Sequence, residues 1–308
     1  MCRLLGLGLA ALSANAMAFS YDLKAVELND GCYLVEGSTG YFNNVNGGNI
    51  VNTGFIVSDD GVLVIDTGPS KRYGEELRRL IDSVSGGKPI RRAVITHMHP
   101  DHYLGNLAFG DIPIAASAGV IKDIKATGED FTLNMYRLVG DWMRGTEPVA
   151  PDQVLEEGMF SLGSHTIRVA HLSGHTGNDT VVFDETCGVL YTGDLVFNRR
   201  TLATPHADLE RWRQSLDMLR SFQFSYIAPG HGAVTTDVEP IDQTVDYLAW
   251  LERALMQAYD QGLDITEVME LPIPDRFSKF ALARDEYRRS VANLFPGIEA
   301  RLLPVVNE

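Results

Sequence analysis

Three histidines and an aspartate lie within six positions in the segment 96–102, which reads THMHPDH. Imidazole and carboxylate groups bind zinc and iron in proteins. His97 and His99 are two residues apart, so they face the same way on an extended segment. Pro100 helps to fix the turn that carries Asp101 and His102. Four ligands this close together serve two metals more readily than one, so the segment predicts a metal centre.

Three further ligand-type residues follow strand-like runs in the second half of the chain. His175 lies in SGHT after RVAHL, Asp194 lies in TGD after VLY, and His231 lies in PGHG after YIA. Each is next to a glycine, which lets the backbone come close to a bound ion. Any one of the three would be interpreted as structural by itself. Together with segment 96–102 they indicate metal binding.

These motifs resemble those of the metallo-β-lactamase superfamily. The resemblance depends on Asp66 in VLVIDTG, THMHPDH at 96–102, GHT at 174–176, TGD at 192–194 and PGHG at 229–232. It covers about residues 22–235, in the expected order and spacing. It implies an α/β fold, namely a four-layer αββα sandwich with its site at one edge of the two sheets.

The resemblance also implies a binuclear zinc site and assigns its ligands. One zinc would be bound by His97, His99 and His175, and the other by Asp101, His102 and His231, with Asp194 bridging them or binding the second. Asp66 would hold the metal-binding turn from behind. In the best-known β-lactamase subclass a cysteine takes the place of Asp194 and His102 is replaced. The ligand set here therefore favours the thioesterase-like and general hydrolase branches over specialised antibiotic hydrolysis.

The implied reaction is hydrolysis of an ester, thioester, lactone or β-lactam by hydroxide bound to the metals. Two zinc ions lower the pKa of a shared water toward about 7 and polarise the carbonyl. Asp101 would orient the hydroxide and is the predicted catalytic residue. Within the superfamily the chain is most similar to the periplasmic quinoprotein relay system zinc metallohydrolases, because of its N-terminus, its layout and its helical C-terminal region.

Two alternative functions stay open. A persulfide dioxygenase resembles this fold and uses one iron, bound at positions that correspond to His99, His175 and Asp194, with open positions for oxygen. The presence of His102 and His231 favours two metals, although such enzymes can retain both residues. The other alternative is a non-enzymatic metal-binding partner of a periplasmic redox system, which the complete ligand set disfavours.

Four more residues are candidates for substrate binding. Arg199 and Arg200 can bind a carboxylate in bidentate fashion, with surface solvation as the alternative interpretation. His206 is placed to reach over the site from the loop after the TGD motif. Asn49 ends the polar run 43–49, which either covers the substrate or forms a plain turn.

The elements that must position these residues alternate between strands and helices, which favours layered α/β architecture. Apolar runs and turn signals predict strands and hairpins over 22–66. Residues 126–153 are polar and are expected to run over the surface. The other predicted strands are 90–96, 112–116, 166–172, 180–184, 189–192 and 226–228, and the predicted helices are 73–85, 117–124, 209–222, 241–262 and 285–294.

The N-terminal segment is typical of a secretory signal peptide. Leu4–Leu12 is apolar, and small residues precede a cleavage point after Ala18. The apolar run is too short for a bilayer, which needs about 20 residues. We therefore expect a periplasmic or secreted protein. The predicted division is a signal peptide at 1–18, a catalytic domain at 19–239 and a helical C-terminal extension at 240–308 that packs on the domain.

The amino-acid composition limits the classes of molecule that the protein is expected to bind. The 308 residues include 26 Lys and Arg against 41 Asp and Glu, a formal net charge of −15. Such an acidic surface repels phosphate backbones, so nucleic acid is not expected as a partner. No later run is apolar enough to span a membrane. The expected partner is a small molecule with a carbonyl electrophile, and the oligomeric state stays open.

Two cysteines and two histidines outside the site receive structural interpretations. Cys32 and Cys187 remain after removal of the signal peptide, either as a disulfide or as two separately buried thiols, with the second favoured. His165 lies in a turn and is expected to be solvated. His171 lies in a strand and is expected to be packed.

Overall fold

Two β-sheets form the centre of the molecule in the computed structural model, which describes residues 19–302. The predicted signal peptide, residues 1–18, lies outside the described residues. The first sheet has seven strands in sequential order, and the second has five strands in the order β12-β11-β10-β9-β8. The strands are β1 Ala25–Asn29, β2 Cys32–Val35, β3 Thr53–Val57, β4 Val62–Ile65, β5 Ile90–Val94, β6 Ile114–Ala116, β7 Gln153–Val154, β8 Gly158–Leu162, β9 His165–Leu172, β10 Asp179–Asp184, β11 Val189–Tyr191 and β12 Tyr226–Ala228.

Strand direction changes within both sheets, as connections of different length require. β1 through β4 pair as antiparallel neighbours, with short turns from β1 to β2 and from β3 to β4 and a longer loop from β2 to β3. β4 through β7 pair in parallel through longer connections. In the second sheet β8, β9, β10 and β11 are antiparallel, and β11 pairs with β12 in parallel. Antiparallel strands can be joined by a tight hairpin, but parallel strands need a crossover, most often a helix.

Helices cover the outer faces of both sheets. Buried side chains of α1 and α3 pack on the first sheet, and those of α4, α5 and α8 pack on the second, while a third core fills the space between the sheets. This layering confirms the predicted αββα architecture. The helices are α1 Lys71–Ser85, α2 Pro100–Tyr103, α3 Ala118–Val139, α4 Leu209–Leu219, α5 Glu239–Asp260, α6 Ile265–Met269, α7 Asp275–Ser278 and α8 Ala283–Leu302.

The predicted surface excursion over 126–153 is wrong in its first half. Helix α3 continues to Val139, well past the predicted end at Ile124. Thr132, Met135 and Val139 form its buried stripe, and the polar residues between them face solvent. The region looks polar in sequence because one face of the helix is exposed to solvent. The first proline of the region is Pro148, beyond the end of the helix.

The C-terminal helices share a core with the second sheet. Leu248 and Leu251 of α5 and Tyr287 of α8 belong to the same buried cluster as Leu190 of β11 and Trp212 of α4. Trp250 adds aromatic contacts, with its ring centroid 5.4 Å from that of Tyr287. The helices therefore extend the layer that covers the second sheet. The proposed domain boundary at 239/240 stays a prediction.

The expectation of two separate thiols is wrong, because Cys32 and Cys187 form a disulfide. Cys32 begins β2 in the first sheet, and Cys187 lies in the turn between β10 and β11 of the second. The bond therefore joins the two sheets. The partners are 155 positions apart in the sequence, so their pairing follows from how the sheets pack.

The expectation that His165 is solvated is also wrong. Its side chain is buried, and its Nδ1 lies 2.6 Å from Oδ2 of Asp184, beside the disulfide. The β9–β10 hairpin produces this pairing by returning Asp184 to the start of β9. His171 packs in β9 as expected, with Nε2 2.8 Å from the Leu155 carbonyl oxygen. In the described part of the chain, no helix combines the length and apolar character needed to cross a bilayer.

Gly105→Ala is expected to lower the free energy of unfolding by about 1–3 kcal/mol. A Cβ at Gly105 would lie 2.0 Å from the Thr67 carbonyl oxygen, where the turn after β4 meets the short helix after α2. Gly110→Ala is the matched control, since its Cβ would find its nearest neighbour at 3.7 Å. Urea unfolding of both variants measures the difference. Equal stability of the two would contradict this account of the close approach.

Candidate metal centre

The predicted ligands converge at one edge of the sandwich. Segment 96–102 follows β5, and its last part forms the single-turn helix α2. His175, Asp194 and His231 follow β9, β11 and β12, so they reach the same edge from the second sheet. All of the following are at most 7% exposed: His97, His99, Asp101, His102, His175, Asp194 and His231.

The first group contains three imidazoles and one carboxylate. His97 Nε2 lies 3.1 Å from His99 Nδ1, and His99 Nδ1 lies 2.8 Å from His175 Nε2. Oδ2 of Asp194 lies 3.3 Å from His175 Nε2 and 3.9 Å from His97 Nε2. Three ring nitrogens this close cannot all satisfy one another by hydrogen bonds, because each neutral ring has one donor and one acceptor.

The second group lies beside the first. Asp101 Oδ2 is 3.7 Å from His102 Nε2 and 3.5 Å from His231 Nε2. Asp194 reaches this group as well, since its Oδ1 is 3.1 Å from His102 Nε2 and its Oδ2 is 3.2 Å from His231 Nε2. The Asp194 carboxylate therefore lies between the two groups and contacts both.

Burial and charge set the protonation states of these side chains. Burial, with the neighbouring histidines, holds the pKa values of His97, His99 and His175 well below the ordinary range. Burial opposes ionisation of Asp194, but the surrounding histidines outweigh it and hold the pKa of this carboxyl well below its usual value. His102 also loses solvation, yet its carboxylate neighbours raise its pKa well above the usual value. Neutral imidazoles and an ionised carboxylate are the forms that bind metals, so His97, His99, His175 and Asp194 are held in the metal-binding form, whereas His102 has to release a proton when a metal binds.

Each of three histidines has one ring nitrogen that points away from the site, and the contacts of this nitrogen orient the ring. His231 Nδ1 lies 2.7 Å from the Ile50 carbonyl oxygen, so it donates there and turns Nε2 into the site. His102 Nδ1 lies 2.7 Å from Asp66 Oδ2. His99 is turned the other way, with its outer Nε2 2.9 Å from His206 Nδ1. Contacts of this kind fix the tautomer and direction of a metal-binding ring.

Asp66 contacts the turn 96–102, for which the family resemblance implies a supporting role. Its carboxylate accepts hydrogen bonds from the Thr96 backbone N–H at 2.8 Å and from the Thr96 hydroxyl at 2.9 Å, besides the contact with His102. Its backbone adopts a φ of 59°, a left-handed conformation that Asp and Asn tolerate better than most residues. One carboxylate thereby ties the β5 turn to helix α2.

Asp66→Asn is expected to lower kcat/KM or zinc affinity by about 10–100-fold. The asparagine tolerates the same backbone conformation, but its single oxygen cannot replace both carboxylate oxygens. Either the Thr96 backbone N–H, or the Thr96 hydroxyl together with His102 Nδ1, loses its acceptor. Zinc titration and steady-state kinetics measure the effect. Far-UV circular dichroism serves as the folding control, and values within twofold of the wild type would contradict the positioning role.

The donor set fits two divalent cations. His102 Nε2 and Asp194 Oδ1 are fully buried and lie 3.1 Å apart, but not in hydrogen-bond geometry, so neither atom has a hydrogen-bond partner within the described chain. Buried polar atoms without partners are uncommon and costly. Histidine and aspartate ligand atoms form two sets, and within each set they lie within 4.8 Å of one another. Nitrogen and oxygen ligands of this kind are usual for zinc.

A cavity of roughly 150 Å³ opens onto these groups. His99, Asp101, Asp194 and His231 form part of its wall. Several other lining residues were not predicted from the sequence, because they come from distant elements and no local pattern indicates that these elements meet here. They are Tyr41, Phe42, Ile50, Pro100, Phe131, Asn134, Ala203, Pro205, Glu286 and Arg289.

The four predicted substrate-binding residues have different positions. His206 lies over the site on His99 and lines the cavity. Arg200 also lines the cavity, but its guanidinium is 2% exposed and lies 3.5 Å from Glu286. Arg199 is 73% exposed and pairs with Glu239 on the surface. Asn49 is part of a turn outside the cavity lining, where its backbone N–H bonds to the Asn46 carbonyl oxygen.

Curated relatives share limited sequence identity with the chain. It is 23% identical over 292 residues to the linear primary-alkylsulfatase of Pseudomonas sp., a match that covers 79% of this chain and 54% of that protein. It is 26% identical over 218 residues to an atrochrysone carboxyl ACP thioesterase of Aspergillus novofumigatus, with coverage of 70% and 56%. The chain thus spans about half the length of these relatives.

Solved structures and a family profile agree on the fold. A metallo-beta-lactamase from Pontibacter korlensis is 21% identical with a TM-score of 0.58, covering 74% of this chain and 99% of that one. The metallo-beta-lactamase IND-7 is 19% identical with a TM-score of 0.60 and coverage of 75% and 100%. The profile of the Metallo-beta-lactamase superfamily matches residues 46–231, more than half of the chain. This chain therefore belongs to the metallo-beta-lactamase superfamily.

Proposed function

We propose that the protein is a binuclear zinc hydrolase that cleaves an ester, thioester, lactone or β-lactam. The observation that carries the proposal is the position of Asp194 between two groups of ligand-type side chains, within 3.3 Å of histidine nitrogens in both. In this assignment His97, His99 and His175 bind one zinc ion. Asp101, His102 and His231 would hold the other, and Asp194, which contacts both groups, would contribute to both sites.

The zinc ions would supply a water of lowered pKa as nucleophile and positive charge for the carbonyl oxygen. The chain contributes position and proton transfer. Asp101 lines the cavity and lies 3.5 Å from His231 Nε2, where its carboxylate can orient an attacking water and take up its proton. Phe131 and His206 close one wall, with ring centroids 6.1 Å apart, and limit the access of other water.

The cavity suggests how the substrate enters. Pockets that enclose a drug-sized ligand measure about 300–1,000 Å³, so this smaller cavity fits the reacting acyl end and leaves the rest outside. Arg289 lies on the cavity wall, with Cζ 4.6 Å from the ring centroid of Tyr41 and a 3.5 Å contact with Glu286. We propose that the outer part of the substrate carries a polar or anionic group, which this arginine contacts.

Metal analysis and a substrate panel test the proposal. Protein purified without chelator is expected to contain about two zinc ions per chain. It should hydrolyse acyl thioesters, lactones or β-lactams, and His97→Ala should lose that activity. The panel includes alkyl sulfates because one relative is an alkylsulfatase. About one iron per chain together with persulfide oxidation would replace the hydrolase by the dioxygenase alternative.

We also propose that the protein is exported. The apolar and small-residue pattern of residues 1–18 supports export, as does the disulfide, because disulfides persist mainly in oxidising compartments. Cell fractionation and the mass of the mature chain test the proposal. A chain that keeps residues 1–18 and stays in the cytosol would contradict it.

A further inference from the structure

A second set of ligand-type side chains lies outside the proposed active site. All four members are buried, and they offer two sulfurs, a ring nitrogen and a carboxylate oxygen within 4.8 Å of one another. We call this set the inter-sheet cluster, and it consists of Cys32, His165, Asp184 and Cys187.

The inter-sheet cluster and the active site lie at opposite ends of the second sheet. Strand β10 begins at Asp179, whose carboxylate accepts a hydrogen bond from the backbone N–H of His175, and ends at Asp184. Six residues of extended chain span roughly 17 Å. The cluster is therefore separate from the catalytic ligands, and it connects β2 of the first sheet with the β10–β11 turn of the second.

The disulfide does not account for the imidazole or for the second carboxylate oxygen of the cluster. Asp184 Oδ1 accepts hydrogen bonds from the Thr186 and Cys187 backbone N–H groups in the β10–β11 turn, which leaves Oδ2 facing the sulfurs and His165. Asp184 Oδ2 lies 3.4 Å from Cys32 Sγ, but a sulfur in a disulfide has no proton to donate to it. The same oxygen contacts His165 Nδ1 at 2.6 Å. A crosslink between two sheets needs neither an imidazole nor a carboxylate. With the cysteines reduced, the four groups make two thiolates, one imidazole and one carboxylate, which are all zinc ligands.

We propose that the inter-sheet cluster binds one zinc ion when Cys32 and Cys187 are reduced, and that the disulfide replaces this ion on oxidation. Either form crosslinks β2 to the β10–β11 turn at the same place. The two Cα atoms are 6.5 Å apart, near the upper end of the usual disulfide range, so the sulfurs can separate around an ion with little backbone movement.

The exchange is balanced when a dithiol is the reductant. The disulfide takes up two electrons and two protons from the dithiol, which becomes a cyclic disulfide, and two thiols form on the chain. Zinc binding then releases both thiol protons, because thiolate is the ligand form. Reoxidation by a disulfide reagent runs the steps in reverse and releases the ion.

Cobalt substitution tests the proposal. The full chain carries Cys2→Ser, so that Cys32 and Cys187 are its remaining cysteines. It is produced under reducing conditions, one half is reoxidised, and both halves are loaded with Co²⁺. The reduced half is expected to bind about one more cobalt ion per chain and to show a sulfur-to-cobalt charge-transfer band. The proposed catalytic ligands are nitrogen and oxygen atoms, so they give no such band.

Variants identify the ligands. The band should disappear in Cys32→Ser/Cys187→Ser, and cobalt affinity of the reduced chain should fall by about tenfold or more in His165→Gln. If the double variant does not fold, the reduced and reoxidised halves of the same chain decide. Equal cobalt content without the band, or a reduced chain that unfolds, would overturn the proposal.

Discussion

Replacing Asp194 with alanine is expected to lower kcat/KM by about 10³-fold or more and to reduce the bound zinc. The Asp194 carboxylate contacts His175 of one group and His102 of the other, so its loss removes the link between both ligand sets. Metal ions typically contribute several kcal/mol of charge stabilisation, and about 4 kcal/mol corresponds to roughly 10³-fold in rate. Steady-state kinetics and elemental analysis measure both effects.

Two further variants separate charge from structure. Asp194→Asn keeps the shape of the side chain and removes its charge, so we expect a loss close to that of the alanine variant. Asp111→Ala removes an exposed carboxylate that pairs with Arg78 on the surface, and it should leave activity unchanged. Turnover and zinc content close to the wild type in both Asp194 variants would disprove the assignment.

Removal of the metals is expected to abolish hydrolysis and to lower the melting temperature by several degrees. Seven ionisable side chains are packed together at this edge of the fold, and bound cations would compensate their charges and coordinate the atoms without hydrogen-bond partners. An ion that binds the folded state alone stabilises it by about 4 kcal/mol at a free concentration 1,000 times its Kd. Thermal unfolding with and without chelator measures the shift.

The Asp194→Ala variant is the control for the chelator experiment. Its ligand sets are already incomplete, so the chelator should shift its melting temperature less than that of the wild type. When zinc is added back to the chelated wild-type protein, both its melting temperature and its activity should recover. An identical shift in the two proteins would show that the chelator acts elsewhere in the chain.

Local pattern was sufficient to predict the family and the ligand candidates. Segment 96–102 places several ligands on one turn, and His175, Asp194 and His231 each follow a short strand. Strand ends converge at a sheet edge, so such residues can be assigned to one site from the sequence. Strands β5, β9, β10, β11 and β12 were predicted to within two residues at each end.

Contacts between residues far apart in the sequence were not predicted, because they depend on how distant segments pack in the fold. Arg289 of α8 reaches the cavity because the C-terminal helices share a core with the second sheet. The helical continuation of α3 was missed because its buried stripe is sparse between polar residues. Arg199 and Arg200 look alike in sequence, yet one is exposed and the other is buried against Glu286.

The sequence by itself determined the candidate residues of the metal centre, a layered α/β architecture and the acidic charge balance, because ligand type, periodicity and charge are properties of short segments. The four-layer αββα order followed from the resemblance to the superfamily. The tertiary structure alone decided that Asp194 contacts both ligand groups, that Cys32 meets Cys187 across 155 residues, and that His165 is buried beside them. These are distances between segments far apart in the chain, and they are set by the packing of one sheet on the other.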